Sequence, residues 1–284
     1  MLNFPIIDTH LHLWDPSLFR YAWLDEIPRL NRAHLLADYD RDRGQVEVES
    51  MVFLQCEAEF TQNQQEVAWV SGFAREDSRI GAIVSWAPLE QGERARTEIE
   101  QLADNRLVRG IRRIIQFEPD PAFCLQPEFI AGVQILADFD LHFEICLKGN
   151  EQFRNAITLV EKCPQVRFLL DHIGKPFIDE GTLEPWKSLL AQLSALPNTW
   201  CKMSGLVTEA DHETWTQTQL QPYIDSVMES FGWERTMFGG DWPVVRLASE
   251  YPRWVDTLTA ALSGAAEDDL RKVFRDNAVA FYRL

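Results

Sequence analysis

Along this chain, short apolar runs alternate with longer stretches in which apolar residues recur every three or four positions. The short runs are typical of buried strands and the longer stretches of amphipathic helices. The predicted strands are 4–9, 51–56, 80–86, 108–115, 141–146, 166–171, 199–204 and 236–240. The predicted helices are 62–77, 91–104, 127–138, 150–162, 184–196, 213–231, 249–262 and 267–282. Strand followed by helix, repeated in this way, predicts an α/β fold.

Eight such units predict a (β/α)8 TIM barrel, with residues 1–284 forming a single domain. A doubly wound open sheet is the main competitor, but no Gly-x-Gly-x-x-Gly follows the first strand. The segment 14–50 holds no predicted strand, and we expect a loop with short helices over the barrel mouth. Active sites of this fold lie at the carboxyl ends of the strands, so polar residues there are the functional candidates.

The first predicted strand runs directly into His10 and His12. Residues two apart in an extended chain point to the same face, so both imidazoles project together. Alone, such a pair is better explained by two surface histidines. His172 ends the sixth strand and Asp241 ends the eighth, after two glycines. Strands 1 and 8 are neighbours in a closed barrel, so we expect Asp241 beside the histidine pair, as a metal ligand, a general base or a helix cap.

Composition limits the partners and the compartment. A net charge of −17 makes nucleic acid and anionic membrane surfaces poor partners. No apolar run approaches the ~20 residues of a membrane helix, and no basic segment precedes an apolar one at the start, so we expect no signal peptide. The five cysteines are widely spaced without Cys-x-x-Cys, which favours reduced thiols and a cytoplasmic location. The oligomeric state stays open, a homo-oligomer included.

Five segments together carry a family resemblance. They are Asp-Thr-His-Leu-His-Leu-Trp-Asp from residue 8, Val-Arg-Gly-Ile-Arg from 108, Leu-Asp-His-Ile-Gly-Lys-Pro from 170, Cys-Lys-Met-Ser-Gly-Leu from 201 and Phe-Gly-Gly-Asp-Trp-Pro from 238. In this order they resemble the amidohydrolase superfamily, and more narrowly its sugar-lactone hydrolase branch. That branch includes L-fuconolactonase, L-rhamnono-lactonase and 2-pyrone-4,6-dicarboxylate lactonase.

The resemblance implies that water opens the ring ester of a lactone. Asp241 would deprotonate the attacking water and then pass a proton to the leaving oxygen. His172, with His10 and His12, would polarise the carbonyl, directly or through a divalent metal. The residues assigned by the resemblance to substrate binding are Arg112, Lys148, Trp14, Gln116 and Trp242.

The metal requirement is less clearly implied. Strand 4 has no lysine that could bridge two ions, and the only strand-5 histidine, His142, begins its strand more than ~10 Å below the mouth. We expect His142 to be structural. The remaining ligands for one weakly held zinc or manganese ion are His10, His12 and Asp241. Positive charge nearby would oppose an ion, so metal-independent catalysis is the close alternative.

Three functions therefore compete at this stage. The leading hypothesis is a hydrolase of a sugar-acid lactone such as L-fucono- or L-rhamnono-lactone. A non-oxidative decarboxylase of an aromatic or unsaturated acid is the second, and it would need a firm metal site with a histidine from strand 5. The third is a catalytically silent barrel that binds a sugar or a protein partner.

Overall fold

The computed structural model describes residues 2–284, and its centre is one sheet of eight parallel strands in sequence order. The strands are β1 Ile6–Leu11, β2 Val48–Leu54, β3 Ile80–Ser85, β4 Val108–Ile111, β5 His142–Ile145, β6 Phe168–Leu170, β7 Thr199–Met203 and β8 Thr236–Phe238. Just beyond β8, Leu11 and Trp242 form a parallel bridge. The Asp241 N–H donates to the His10 carbonyl at 2.8 Å, which joins β1 to the last strand and closes the barrel.

A helix follows each strand, which confirms the predicted (β/α)8 barrel. The helices are α1 Leu36–Asp42, α2 Asn63–Glu76, α3 Arg96–Ala103, α4 Pro127–Ile135, α5 Asn150–Lys162, α6 Trp186–Ser194, α7 Gln217–Phe231, α8 Tyr251–Ala261, α9 Glu267–Arg271 and α10 Asn277–Tyr282. The predicted last helix is broken into α9 and α10 by a π-helical turn over Lys272–Asp276. Within residues 2–284, no helix has both the length and the apolarity needed to cross a membrane.

Several strands are shorter than the sequence predicted at their carboxyl ends. β4 ends at Ile111 rather than at 115, and the next two residues, Arg112 and Arg113, form side-chain ion pairs. β2 instead begins at Val48, so the last three residues of the segment 14–50 belong to a strand. The polar residues that follow each strand therefore sit on loops that the barrel positions.

The C-terminal helix identifies the closed end of the barrel. The aromatic rings of Phe281 and Tyr282 pack against His142, the first residue of β5. Arg167, which precedes β6, donates to the Phe281 carbonyl at 2.8 Å. Because α10 packs at the amino ends of these strands, the carboxyl end is the open face of the barrel, where active sites of this fold lie.

The segment 14–50 lies against the carboxyl end of the barrel. Trp23 belongs to a short 3-10 helix, and its indole N–H donates to the Cys56 carbonyl just after β2, at 2.9 Å. Trp14 pairs with His34 as an isolated antiparallel bridge within the segment. All five cysteines of the chain are buried free thiols, as the sequence predicted.

Candidate active site

Three histidines and one aspartate meet at the carboxyl end of the barrel. The Nε2 atoms of His10 and His12 lie 3.2 Å apart, and each is 3.6 Å from Asp241 Oδ1. His172 Nδ1 lies 4.0 Å from Asp241 Oδ2. All four residues are buried. The expectation that closure of the barrel brings Asp241 to the histidine pair is therefore confirmed.

Asp8 fixes the turn that presents Asp241. Its carboxylate accepts the Gly240 N–H at 2.7 Å and the hydroxyls of Tyr251 and Tyr39 at 2.9 and 3.2 Å. A Cβ on Gly240 would lie 2.3 Å from the Tyr251 ring and 2.5 Å from Asp8 Oδ2, so only glycine fits this approach. Asp241 follows with φ of 55°, a left-handed conformation that turns the chain sharply away from β8.

A backbone carbonyl fixes the tautomer of His12. His12 Nδ1 lies 2.9 Å from the Leu54 carbonyl oxygen, which can only accept, so Nδ1 carries the hydrogen. The Nε2 lone pair therefore faces His10 and Asp241. His10 Nε2, His12 Nε2 and Asp241 Oδ1 lie 3.2–3.6 Å apart, a spacing that matches the ~3.3 Å between ligands of a tetrahedral zinc bound at 2.0–2.1 Å. The donor set therefore fits a divalent ion.

Burial and proximity set the charges of these groups. Burial lowers the pKa of His10 and His12, and that of His172 to about 3, so the three imidazoles are neutral near pH 7. Burial alone would raise the pKa of Asp241, but electrostatic interactions with His172, His12 and the Lys175 ammonium outweigh it and hold the pKa below its usual value. The cluster thus combines an ionised carboxylate with neutral rings, as general-base chemistry requires.

A buried ion network lies beneath the histidine pair. The Lys202 ammonium, fully buried inside the barrel, lies 2.7 Å from Glu144 Oε2 and 3.0 Å from Asp171 Oδ1. Arg112 Nη1 lies 3.2 Å from both Asp171 Oδ2 and His10 Nε2. The two cations and two carboxylates neutralise one another, and they hold His10 from below.

Above the cluster opens a cavity of about 240 Å³. It is lined by His12, Trp23, Ile27, Cys56, Glu57, Arg112, Ile114, Gln116, Phe117, Cys146, His172, Lys175, Thr208, Glu209, His212, Asp241, Val244 and Leu247. Of the residues that the sequence assigned, it contains Asp241 and His172, the metal candidate His12, and the substrate candidates Arg112 and Gln116. His10 does not line the cavity, but it contacts Asp241 and His12, which do.

Three assigned substrate residues do not line the cavity. Trp14 is fully buried and its indole N–H donates to the Leu30 and Arg32 carbonyls, at 3.1 and 3.0 Å. The Trp242 indole N–H, also buried, donates to Asp42 Oδ2 at 3.0 Å. Both rings pack the segment 14–50 onto the barrel. The half-exposed Lys148 does not line the cavity itself, but its ammonium pairs at 3.0 Å with Glu209, which does.

Sequence reasoning noted Glu57 and Lys175 at strand ends without giving them a role and missed Glu209, and all three line the cavity. Lys175 was visible in the motif around His172, and Glu57 was visible two residues after Gln55 at a strand end. Glu209 lies in a loop after β7 whose path has no local signal. His142, by contrast, lies outside the cavity and bonds to Glu144 Oε1 at 3.1 Å, in agreement with its structural interpretation.

The fold and the cluster together define a barrel protein whose site has the groups for hydrolysis: a buried carboxylate base, neutral imidazoles and fixed cations. A family model described as amidohydrolase matches residues 7–284, and the chain belongs to that family.

Two relatives and one solved structure are similar over almost the whole chain. The L-fucono-1,5-lactonase of Burkholderia ambifaria is 29% identical over 283 residues, covering 98% of this chain and 95% of that protein. The L-rhamnono-gamma-lactonase of Scheffersomyces stipitis is 25% identical over 338 residues, covering 100% of both. The crystal structure of an amidohydrolase from Burkholderia multivorans with bound zinc has a TM-score of 0.88 at 28% identity, covering 99% of this chain and 100% of that one.

Proposed function

We propose that this protein hydrolyses the ring ester of a sugar-acid lactone. The observation that carries the proposal is Asp241, an ionised carboxylate at the floor of the cavity with three neutral imidazoles around it. The names of two relatives, an L-fucono-1,5-lactonase and an L-rhamnono-gamma-lactonase, support a lactone as the ester. Roughly six-carbon lactones suit a cavity of about 240 Å³.

In the proposed reaction Asp241 takes a proton from water while the water oxygen bonds to the lactone carbonyl carbon. The carbonyl electron pair moves to its oxygen, and the positive charges of Arg112 and Lys175 at the cavity wall stabilise that oxyanion. Collapse breaks the ring C–O bond, and Asp241 returns its proton to the leaving oxygen. The product is an open-chain hydroxy acid.

His172 is the second proposed catalytic residue. Its ring lines the cavity, and the Ser204 hydroxyl, 2.9 Å from Nδ1, holds the ring in place. A neutral ring in this position can donate a hydrogen bond to the carbonyl oxygen and polarise it. Of the substrate residues, Arg112 and Gln116 remain in the proposal because both line the cavity.

We further propose that His10, His12 and Asp241 hold one divalent ion, zinc or manganese, weakly. A bound ion would supply Lewis-acid polarisation of the carbonyl and a lower pKa for a bound water. Arg112 Nη1 lies 3.2 Å from His10 Nε2 and competes for the lone pair a metal would use. That competition is the reason to expect weak retention, and catalysis without metal is the alternative.

The test is hydrolysis of L-fucono-1,5-lactone, L-rhamnono-gamma-lactone and L-galactono-lactone, followed with a pH indicator. Protein as purified and protein treated with a chelator are compared, with zinc and manganese added back. We expect turnover of at least one lactone, reduced by the chelator and restored by metal. Activity that survives chelation retains the lactonase proposal and removes the metal, whereas no turnover in any state ends the lactonase proposal.

A further inference from the structure

Backbone strain is concentrated at the cavity. Within residues 2–284, seven residues other than glycine have a positive φ, a conformation that side-chain-bearing residues rarely adopt. Four of the seven line the cavity: Glu57 at 55°, His172 at 52°, Lys175 at 47° and Asp241 at 55°. Such conformations cost free energy and persist where the fold enforces them, often at functional sites. The proposed reaction gives roles to the other three and leaves Glu57 without one.

Gln55 holds Glu57 in this conformation. The Glu57 N–H donates to Gln55 Oε1 at 2.6 Å, and Gln55 Nε2 donates back to Glu57 Oε1 at 2.8 Å. Gln55 is itself buried, and its backbone carbonyl oxygen accepts a hydrogen bond from Arg112 Nη2 at 2.6 Å. The pair is therefore anchored to the barrel. The reciprocal hydrogen bonds fix both the strained backbone and the direction of the carboxylate.

The second carboxylate oxygen of Glu57 is left open. Among the described residues, no donor bonds to Oε2 and no cation pairs with Glu57, although two arginines lie near. Arg112 is engaged by Asp171, and Arg113 by Glu90 and Glu118. A partly buried carboxylate on a cavity wall with a free acceptor is suited to a ligand that brings a donor.

The charges of the cavity wall indicate what that donor is. Three carboxylates, those of Glu57, Glu209 and Asp241, face two cations, Arg112 and Lys175. Both cations have acidic neighbours, because Arg112 lies 3.2 Å from Asp171 and Lys175 lies 3.9 Å from Glu209, which is also paired with Lys148 at 3.0 Å. A ring carrying extra carboxylates would meet the carboxylate of Glu57, which no cation pairs with, whereas a neutral hydroxyl would donate to Glu57 Oε2.

We propose that Glu57 binds ring hydroxyls of the substrate and selects neutral, polyhydroxylated lactones over unsubstituted or carboxylate-bearing ones. This inference rests on the proposed function and names the substrate class of the same site. In this assignment Glu57 is a specificity-determining residue that takes no part in bond making or breaking.

The test compares L-fucono-1,5-lactone, which carries ring hydroxyls, with δ-valerolactone, which has a six-membered ring and none. In Glu57→Gln, kcat/KM for the hydroxylated lactone should fall roughly 10- to 100-fold, the loss expected for a hydrogen bond to a charged group. The rate on δ-valerolactone should not change. Glu57→Asp, which keeps the charge, should recover part of the loss.

Glu118→Gln is the matched control, because Glu118 also lies near the arginines, pairs with Arg113 at 2.6 Å and does not line the cavity. It should leave both rates unchanged. Equal losses on both lactones in Glu57→Gln, no loss on either, or the same loss in Glu118→Gln would each overturn the assignment. Wild-type preference for 2-pyrone-4,6-dicarboxylate over the sugar lactone would overturn it as well, and this comparison needs no variant.

A wild-type protein without lactonase activity would call for a different test of Glu57. If the wild-type protein hydrolyses none of the lactones, the inference is tested by calorimetric binding of L-fucose, a neutral polyhydroxylated ring. Binding that weakens in Glu57→Gln and not in Glu118→Gln supports Glu57 as a hydroxyl-binding residue. Absent or unchanged binding overturns it. Circular dichroism of each variant verifies the fold, and Glu57→Ala replaces Glu57→Gln if the latter is unfolded.

Discussion

At the scale of single residues, the chemistry depends on keeping one carboxylate ionised inside a buried site. Asp241 is buried, which opposes ionisation, yet its electrostatic surroundings, which include the Lys175 ammonium, favour the charged form. Burial lowers the pKa of the histidines, so their rings stay neutral. One base with neutral neighbours is the division of roles that hydrolysis by water requires.

Replacing the base tests this division directly. Asp241→Asn should lower kcat/KM for the accepted lactone by about 10²- to 10⁴-fold, the usual contribution of a general base. The fold should survive, because asparagine is among the residues that tolerate the positive φ at this position. Steady-state kinetics and thermal unfolding measure the two effects.

Asp256→Asn serves as the control for this substitution, since Asp256 is exposed on α8. It should leave the rate unchanged. A rate for Asp241→Asn near that of the wild-type protein would remove Asp241 from the role of base.

The sequence predicted some of these residues and missed others for physical reasons. His10, His12 and Asp241 follow from strand alternation and barrel closure, both of which are regular. Whether the Lys202 side chain points into the barrel depends on the register of β7, because a shift of one residue would turn it outward. Trp14 and Trp242 were expected at the substrate, but an indole that hydrogen-bonds to a buried neighbour looks the same in sequence as one that lines a pocket.

At the scale of elements, the site depends on how strands end. β8 stops at Phe238, and the following two glycines let the chain pass close to β1 and α8. Asp8 on β1 accepts the Gly240 N–H, so one carboxylate links the first strand to the last turn. The turn therefore helps to close the barrel and also positions Asp241 in the site.

A methyl group at this turn should disturb both functions. In Gly240→Ala the added Cβ would lie 2.3 Å from the Tyr251 ring, and we expect a loss of about 1–3 kcal/mol in the free energy of unfolding. Activity should fall more than stability, because Asp241 is the next residue. Urea unfolding and lactone kinetics on the same preparation separate the two.

Gly72→Ala is the matched control. Gly72 lies inside α2, and the nearest atom to an added Cβ is an Arg75 nitrogen at 3.7 Å, an ordinary contact. Alanine is the better helix former, so stability should be unchanged or slightly higher. If Gly240→Ala were as stable and active as Gly72→Ala, close approach of the turn to α8 would not explain the glycine.

At the scale of the whole molecule, the sequence predicted the architecture but not how the segment 14–50 joins it. Eight strand–helix units have a strong periodic signal, and the barrel follows from them. The segment joins the barrel through individual contacts between residues far apart in the chain, and such contacts leave no periodic pattern in the sequence. Glu66 of α2 accepts from the Tyr21 hydroxyl at 3.3 Å and from the Cys56 N–H at 3.4 Å, and so joins the segment to the end of β2.

This buried glutamate predicts how the stability of the whole chain depends on pH. Burial raises the pKa of Glu66 from 4.5 to about 8, so the folded state keeps a proton that the unfolded chain loses above 4.5. The folded state then binds more protons, and the free energy of unfolding falls as pH rises, by at most about 1.4 kcal/mol per unit, until the folded-state pKa is reached.

Glu66→Gln removes the titration while keeping the side-chain shape. Its stability should therefore fall less than that of the wild-type protein between pH 5 and pH 8, whereas Glu151→Gln, an exposed change on α5 that alters net charge equally, should follow the wild-type slope. Urea unfolding at several pH values measures these slopes. Parallel slopes for all three proteins would mean that Glu66 is ionised in the folded state, and that the junction between the segment and β2 contains a buried charge.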